Sequence, residues 1–136
     1  MSTDRSSTGH GSAISSLDDE RIAVLDSVTS AALSSALDGL AMRQRTIANN
    51  IANVNTPNYH AKRVLFEDAL AKSVQNGDGR VTAEVARSLE PTELNGNNVN
   101  LDTETLSNVD TVLRYQFASQ AVGNEFSAVR AAIRTT

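Results

Sequence analysis

Apolar residues recur along this chain with two different periods, and the change of period outlines its architecture. From Leu33 onward, Leu33, Leu37, Leu40, Gln44, Ile47, Ile51 and Val54 alternate steps of four and three, a heptad seam with one polar member. Near the other end, Val112, Tyr115, Ser119, Val122, Phe126, Val129 and Ile133 repeat that alternation, with Leu106, Val109 and Leu113 on a slightly rotated stripe before them. The seams predict two long helices, over residues 17–55 and 101–136. At about 1.5 Å per residue, residues 26–54 and 102–134 would reach roughly 43 and roughly 48 Å. Helices so matched can fold back antiparallel and share a seam. An ordinary amphipathic helix packed on a core would show the same spacing, so the pattern alone leaves both readings open.

Between the seams the period shortens. Arg80–Ala86 alternates, with Val81, Ala83 and Val85 on one face and Arg80, Thr82 and Glu84 on the other, which predicts a strand whose partner lies across a flanking turn. Val64–Val74 fits a short helix around Leu65, Phe66, Leu70 and Val74, and Asn76-Gly77-Asp78-Gly79 is a turn. Glu90-Pro91 and Asn95-Gly96-Asn97-Asn98 punctuate the rest, so residues 56–100 read as a turn followed by an extended, β-containing region, poorly ordered in isolation. Residues 1–16 are rich in Ser and Thr and offer almost nothing to bury, which predicts a disordered arm. Ser16-Leu17-Asp18-Asp19 has capping-box spacing and is a candidate helix start, with Asp26 or Ser27 as later ones. The fold class expected is mainly α: two long terminal helices in an antiparallel coiled-coil-like pair around a small middle region.

Composition changes the picture at three points. Three Phe, two Tyr and no Trp among 136 residues leave few large core fillers, so the apolar content serves helix pairing more than a compact core. Two helices bury too little apolar area to offset chain entropy comfortably, and the pair should be marginal until neighbouring copies or partners complete it. A net charge of −4 argues against a surface that tracks phosphates, and Arg43 and Arg45, two apart, point to different helix faces. Cysteine is absent, which removes disulfides and thiolate chemistry. No apolar run approaches the roughly 20 residues of a membrane span, and the first residues lack the apolar h-region of a cleaved secretory signal. Export, if it occurs, is expected by another route.

Candidates for chemistry are sparse. His10 and His60 lie outside any ligand-like grouping, the turn glycines form no phosphate cradle, and neither a catalytic site, a metal nor a cofactor is expected. The dense feature is Ile47–Tyr59, with five asparagines in thirteen residues at the end of a helical segment. Asparagine is a mediocre helix former, because its amide competes for nearby backbone groups. Asn49 and Asn53 are four apart and Asn50 and Asn53 three apart, so amides share a face and could bond to the backbone of a neighbouring subunit and fix axial register. Simple fraying and capping before Pro57 would account for one or two of them. Thr56-Pro57-Asn58-Tyr59 is a turn: Pro57 ends the helix, and Asn58 suits the left-handed third position of a type II turn.

Ala48-Asn49-Asn50-Ile51-Ala52-Asn53, followed by Asn55-Thr56-Pro57-Asn58-Tyr59, resembles the signature of the flagellar axial proteins, whose rod and hook members carry Ala-Asn-Asn-Ile-Ala-Asn and then Asn-Thr-Pro-Gly-Tyr. Asn58 replaces the usual glycine, and both residues tolerate positive φ. The segment Leu113–Gln116, the segment Phe126–Ile133 and the approach to the last helix at Asn97–Glu104 are similar to the proximal members of the basal-body rod family. The resemblance spans about residues 26–134.

It implies a structural role without catalysis: export unfolded through the flagellar type III apparatus, then self-assembly in the periplasm into the rod that carries torque from the membrane ring toward the hook. Implied partners are other rod subunits, copies of the same chain and the membrane-ring protein or its small adaptor, with no nucleic acid and no insertion into a membrane. A different short rod protein of the same family is the nearest alternative. A non-flagellar coiled-coil adaptor would keep the seams but has no need of Asn49–Tyr59, and an enzyme using Tyr59 and His60 would need a folded monomeric site.

Overall fold

A computed structural model describes residues 7–134, and side-chain surroundings from residue 16 onward. Five elements follow in order: α1 (Ser7–Ala52), β1 (Lys62–Leu65), α2 (Glu67–Gln75), β2 (Glu84–Arg87) and α3 (Leu101–Arg134). The two long helices lie antiparallel, with Ser30 bonded to Glu125 at one end of their contact and Asn50 to Glu104 at the other. The mainly α architecture and the small β-containing middle are as the hydrophobic pattern predicts.

The boundaries differ in instructive ways. α1 is already helical at Ser7, where composition predicts an arm through residue 16; residues 1–6 lie outside the described part. Extending an existing helix adds one hydrogen bond per residue without a new nucleus, so a Ser-rich stretch can continue a helix that it could not start. Ser16–Asp19 is therefore helix interior rather than a capping box. At its other end α1 stops at Ala52, so Val54 falls in the following turn rather than on the helical seam.

Val64 and Leu65 belong to a strand and not to the short helix, which begins at Glu67 with Phe66 as its N-cap residue. The predicted strand shortens to Glu84–Arg87, and its partner is β1, separated from it by the whole of α2 rather than by a single turn. The register pairs Lys62 with Arg87 and Leu65 with Glu84. Arg80–Ala83 runs outside the ladder because Ser35 on α1 accepts the Val81 amide and donates to the Gly79 carbonyl, leaving Val81 and Ala83 to pack on the core.

That core is small and sits where the middle region lies on α1. Leu40, Val64 and Phe66 form it, with Ala36, Leu70 and Ala118 around them. Gly39 lets Phe66 approach: a Cβ at Gly39 would stand 2.6 Å from the Phe66 ring. Arg43 covers the same ring at 4.9 Å from its centroid and donates to the Val64 carbonyl and to Glu67. Burial pushes the Glu67 carboxyl up. Hydrogen bonds from Arg43 and from the backbone amides of Glu67 and Phe66, with the Arg43 charge, outweigh that and hold it below its ordinary 4.5.

On α1 the predicted seam faces inward from Leu33 through Ile47 and then yields to Asn50, with Ile51 exposed. On α3 the inward stripe is not the predicted one along most of its length. Glu104, Ser107, Thr111, Ala118, Val122 and Glu125 are buried or half-buried. Glu104 and Val122, like Ser107 and Glu125, stand about five full turns of straight helix apart. The contact thus follows the 3.6-residue period of a straight helix, which drifts away from a 3.5-residue seam by about 20° per heptad. Val122, Phe126 and Val129 line the groove against Ser30, Ser34 and Leu37, Val112 is half-buried, and Tyr115 and Ile133 turn outward.

Two measurements check this packing. Gly39→Ala should lower stability by about 1–3 kcal/mol despite its better helix propensity, because Phe66 must move, whereas Gly123→Ala, whose added Cβ meets nothing within 4 Å, should raise it by up to about 1 kcal/mol. Urea melts followed by circular dichroism would read both; equal effects would contradict the tight contact. The lowered folded-state pKa of Glu67 means that its stabilisation is fully present above 4.5 and is lost as pH falls through the folded value. The midpoint of thermal unfolding should therefore fall more steeply below about pH 4.5 for the native chain than for Glu67→Gln.

Candidate functional site

Two long helices ending side by side leave backbone amides and carbonyls without intrahelical partners, and here asparagines fill most of those vacancies. Two runs meet at this end of the molecule, Asn49–Tyr59 across the end of α1 and Asn95–Asn100 before α3. Asn100 Oδ1 accepts the Asp102 amide at 3.0 Å and caps α3. Asn97 Nδ2 donates to the carbonyls of Asn53 and Thr56, both at 2.8 Å, closing the chain as it leaves α1, while its Oδ1 takes the Val99 amide. Asn98 Oδ1 accepts the Ala61 amide and its Nδ2 reaches the carbonyls of Ser88 and Glu90. The segment read as poorly ordered is therefore tied to both helix ends.

Asn50 is the centre of this arrangement and is wholly buried. Its Oδ1 accepts the Lys62 amide at 3.0 Å and the Tyr59 hydroxyl at 3.3 Å; its Nδ2 donates to the Lys62 carbonyl at 2.9 Å and to Glu104 Oε1 at 3.1 Å. Both donors and both lone-pair positions of the amide are used. By gripping the N–H and C=O of one residue, the side chain serves Lys62 as a paired strand would. Glu104, also wholly buried, takes Arg63 Nη1 at 3.1 Å on the same Oε1, and Arg63 reaches Glu90 on its other side. Glu104 Oε2 has no hydrogen-bond partner.

The rest of the first run is local or at the surface. Asn53 turns back to donate to the Asn49 carbonyl and accepts the Thr56 hydroxyl, which is the capping role. Asn58 has φ of 63°, the left-handed conformation expected of it, and its amide donates to the Asn95 carbonyl. Gly96 lies against it at φ of 81°, where a Cβ would collide with Asn58 Oδ1. Asn49, Ile51, Asn55, Thr56 and Pro57 are exposed. Within the single chain Asn50 thus has no exposed surface and the half-buried Asn53 uses its amide locally, whereas Asn49 and Asn55 stand at the surface.

Reading the sequence missed Asn97, Asn98, Arg63 and Glu104 as members of the site. The asparagine density of residues 95–100 was the available signal, and Glu104 looked only like a charge suited to a helix N-terminus. Tyr59 and His60 do not combine: the Tyr59 hydroxyl goes to Asn50, while His60 Nδ1 lies 3.0 Å from Arg87 Nη2. Among the described residues no group of three or more His, Asp or Glu side chains could hold a metal ion.

Residues 32–60, the second half of α1 through the first asparagine run, match the family model described as flagella basal body rod protein. The chain is 29% identical over 112 residues to the flagellar basal body rod protein FlgB of Bacillus subtilis, covering 72% of this chain and 87% of that one. It is also 29% identical over 117 residues to the Escherichia coli protein of that name, covering 69% and 84%, and 28% identical over 121 residues to that of Borrelia hermsii, covering 72% and 90%. Over most of its length the chain is thus similar to flagellar basal-body rod proteins. The family-model match ends at His60, so it includes Asn50 and Tyr59 but not Lys62 and Glu104, the other residues that Asn50 holds.

Asn50→Ala should destabilise the isolated chain by about 2–4 kcal/mol, since it leaves the Lys62 backbone groups and the buried Glu104 carboxylate without their partner. Asn49→Ala, at the surface of the same run, should stay within about 0.5 kcal/mol. Urea titration by circular dichroism gives both values, and similar small effects would remove Asn50 from the centre of the fold.

Proposed function

We propose that this chain is a subunit of the proximal rod: exported unfolded through the flagellar type III apparatus, it polymerises in the periplasm and helps carry torque from the membrane ring toward the hook. Its role is mechanical, without catalysis or a cofactor. The observation that carries the reading is the Asn49–Tyr59 run, which lies inside the segment shared with the rod family and closes the end of a two-helix unit. Its partners are other rod subunits, copies of itself, and the membrane-ring protein or its adaptor.

The surface supports assembly. Leu106, Leu113, Phe117 and Phe126 on α3 and Val24 and Leu25 on α1 are each 60% exposed or more, a large apolar load for a chain meant to stay alone. A small interior also suits a subunit that must pass unfolded through a channel, because little stability has to be undone.

Deletion of the gene, with motility and basal bodies examined by electron microscopy, should abolish swimming and leave basal bodies without rods. Intact rods in the deletion strain would end the proposal. Ile51→Ser at the exposed face of the first run should reduce rod formation while leaving the unfolding midpoint of the isolated chain nearly unchanged.

A further inference from the structure

The first half of α3 is packed against the sense of its own hydrophobicity. Toward α1 it presents Glu104, Ser107 and Thr111, of which Glu104 and Thr111 are wholly buried. On the opposite side Leu106, Val109, Leu113 and Phe117 stand 54–78% exposed, spaced by steps of three and four. Burial of apolar surface alone would favour the helix turned by about half a revolution, with these four residues against α1. Something specific must oppose that rotation.

Glu104 lies at the right place to do so. It is in the first turn of α3, anchored through Oε1 to Asn50 of α1 and to Arg63 of β1, so two elements grip one side of the helix. Its Oε2 is buried without a partner, a cost that stability alone would not select. Buried polar pairs in helix interfaces are best known for fixing register and orientation at the expense of stability. A helix is stiff about its axis, so an angle set at Glu104 extends along it, and Ser30 holds Glu125 on the same stripe near the far end.

We propose that the Asn50–Glu104–Arg63 cluster is a rotational lock that holds α3 with its bulkier apolar stripe outward. The lock is a property of the single chain. Use of the displayed stripe by a neighbouring copy rests on the rod reading; the lock itself does not.

The chain contains no cysteine, so crosslinks can report the rotation. Ala36 and Ala118 pack on the same core cluster, and Gln116 lies two residues from Ala118, on nearly the opposite side of α3. In the native background the pair Ala36→Cys/Ala118→Cys should oxidise readily and Ala36→Cys/Gln116→Cys should not. Added Glu104→Leu should reverse the preference, with the ratio of the two rates changing by about tenfold or more. Glu104→Gln, which keeps an acceptor for Asn50 and Arg63, should retain the native ratio. Because Glu104→Leu could strand Asn50 and unfold the pair, the same measurement is made in Asn50→Leu/Glu104→Leu, where both polar partners are gone, with helix content read by circular dichroism. An unchanged ratio in the folded variants would overturn the lock. Loss of helix in both the single and the double variant would overturn it too, showing that the cluster holds the helices together rather than orienting one of them.

Discussion

The buried amide of Asn50 is the constraint on which the rest of this molecule depends. A side chain with two donors and two acceptors, removed from water, is costly unless every one of those positions finds a partner. Here the partners come from three places at once: the backbone of β1, the hydroxyl of Tyr59 and the carboxylate of α3. Satisfying Asn50 therefore requires the turn at Pro57, the strand that follows it and the return of α3 to be in position together. A residue that weakens its own helix becomes the point that makes the fold cooperative.

The large-scale fold was legible in the sequence because helix pairing depends on long, repeated patterns. The seam from Leu33 to Ile47 is where α1 is covered, and Pro57-Asn58 forms the turn its residue types demand. Boundaries were less legible. Ser7–Ser16 has no helical signal of its own, and Val64 and Leu65 carry apolar spacing that fits a helix as well as a strand, until pairing with Val85 and Glu84 decides it. The site was half legible: the first asparagine run announced itself, but the second is equally dense and read as a loop. What separates the two readings is which backbone groups need partners, and that is decided only when both helix ends are brought together.

The α3 seam shows a different kind of limit. A 3.5-residue repeat and a 3.6-residue repeat select nearly the same residues over two turns and different ones over five. The predicted seam therefore meets α1 at Val122 and Val129 and departs from it at Tyr115 and Ile133. Small residues on the actual stripe, Ser107, Thr111 and Ala118, let the helices lie close without a bulky seam, and the larger side chains are left for the outside.

Small inward residues and large outward ones have one energetic consequence. The buried apolar set is limited to residues such as Leu40, Ile47, Val64 and Phe66, so the apolar area withdrawn from water within one chain is modest. Polar bonds at the asparagine end supply orientation more than net stability, because each replaces a bond to water. A chain arranged this way is specified but weakly held, and further apolar burial is available to it only between molecules. For the rod subunit proposed above that division is useful. The shape of the single chain is fixed by directional contacts, and large apolar side chains such as Leu106, Leu113, Phe117 and Phe126 stay exposed on it, open to burial between molecules.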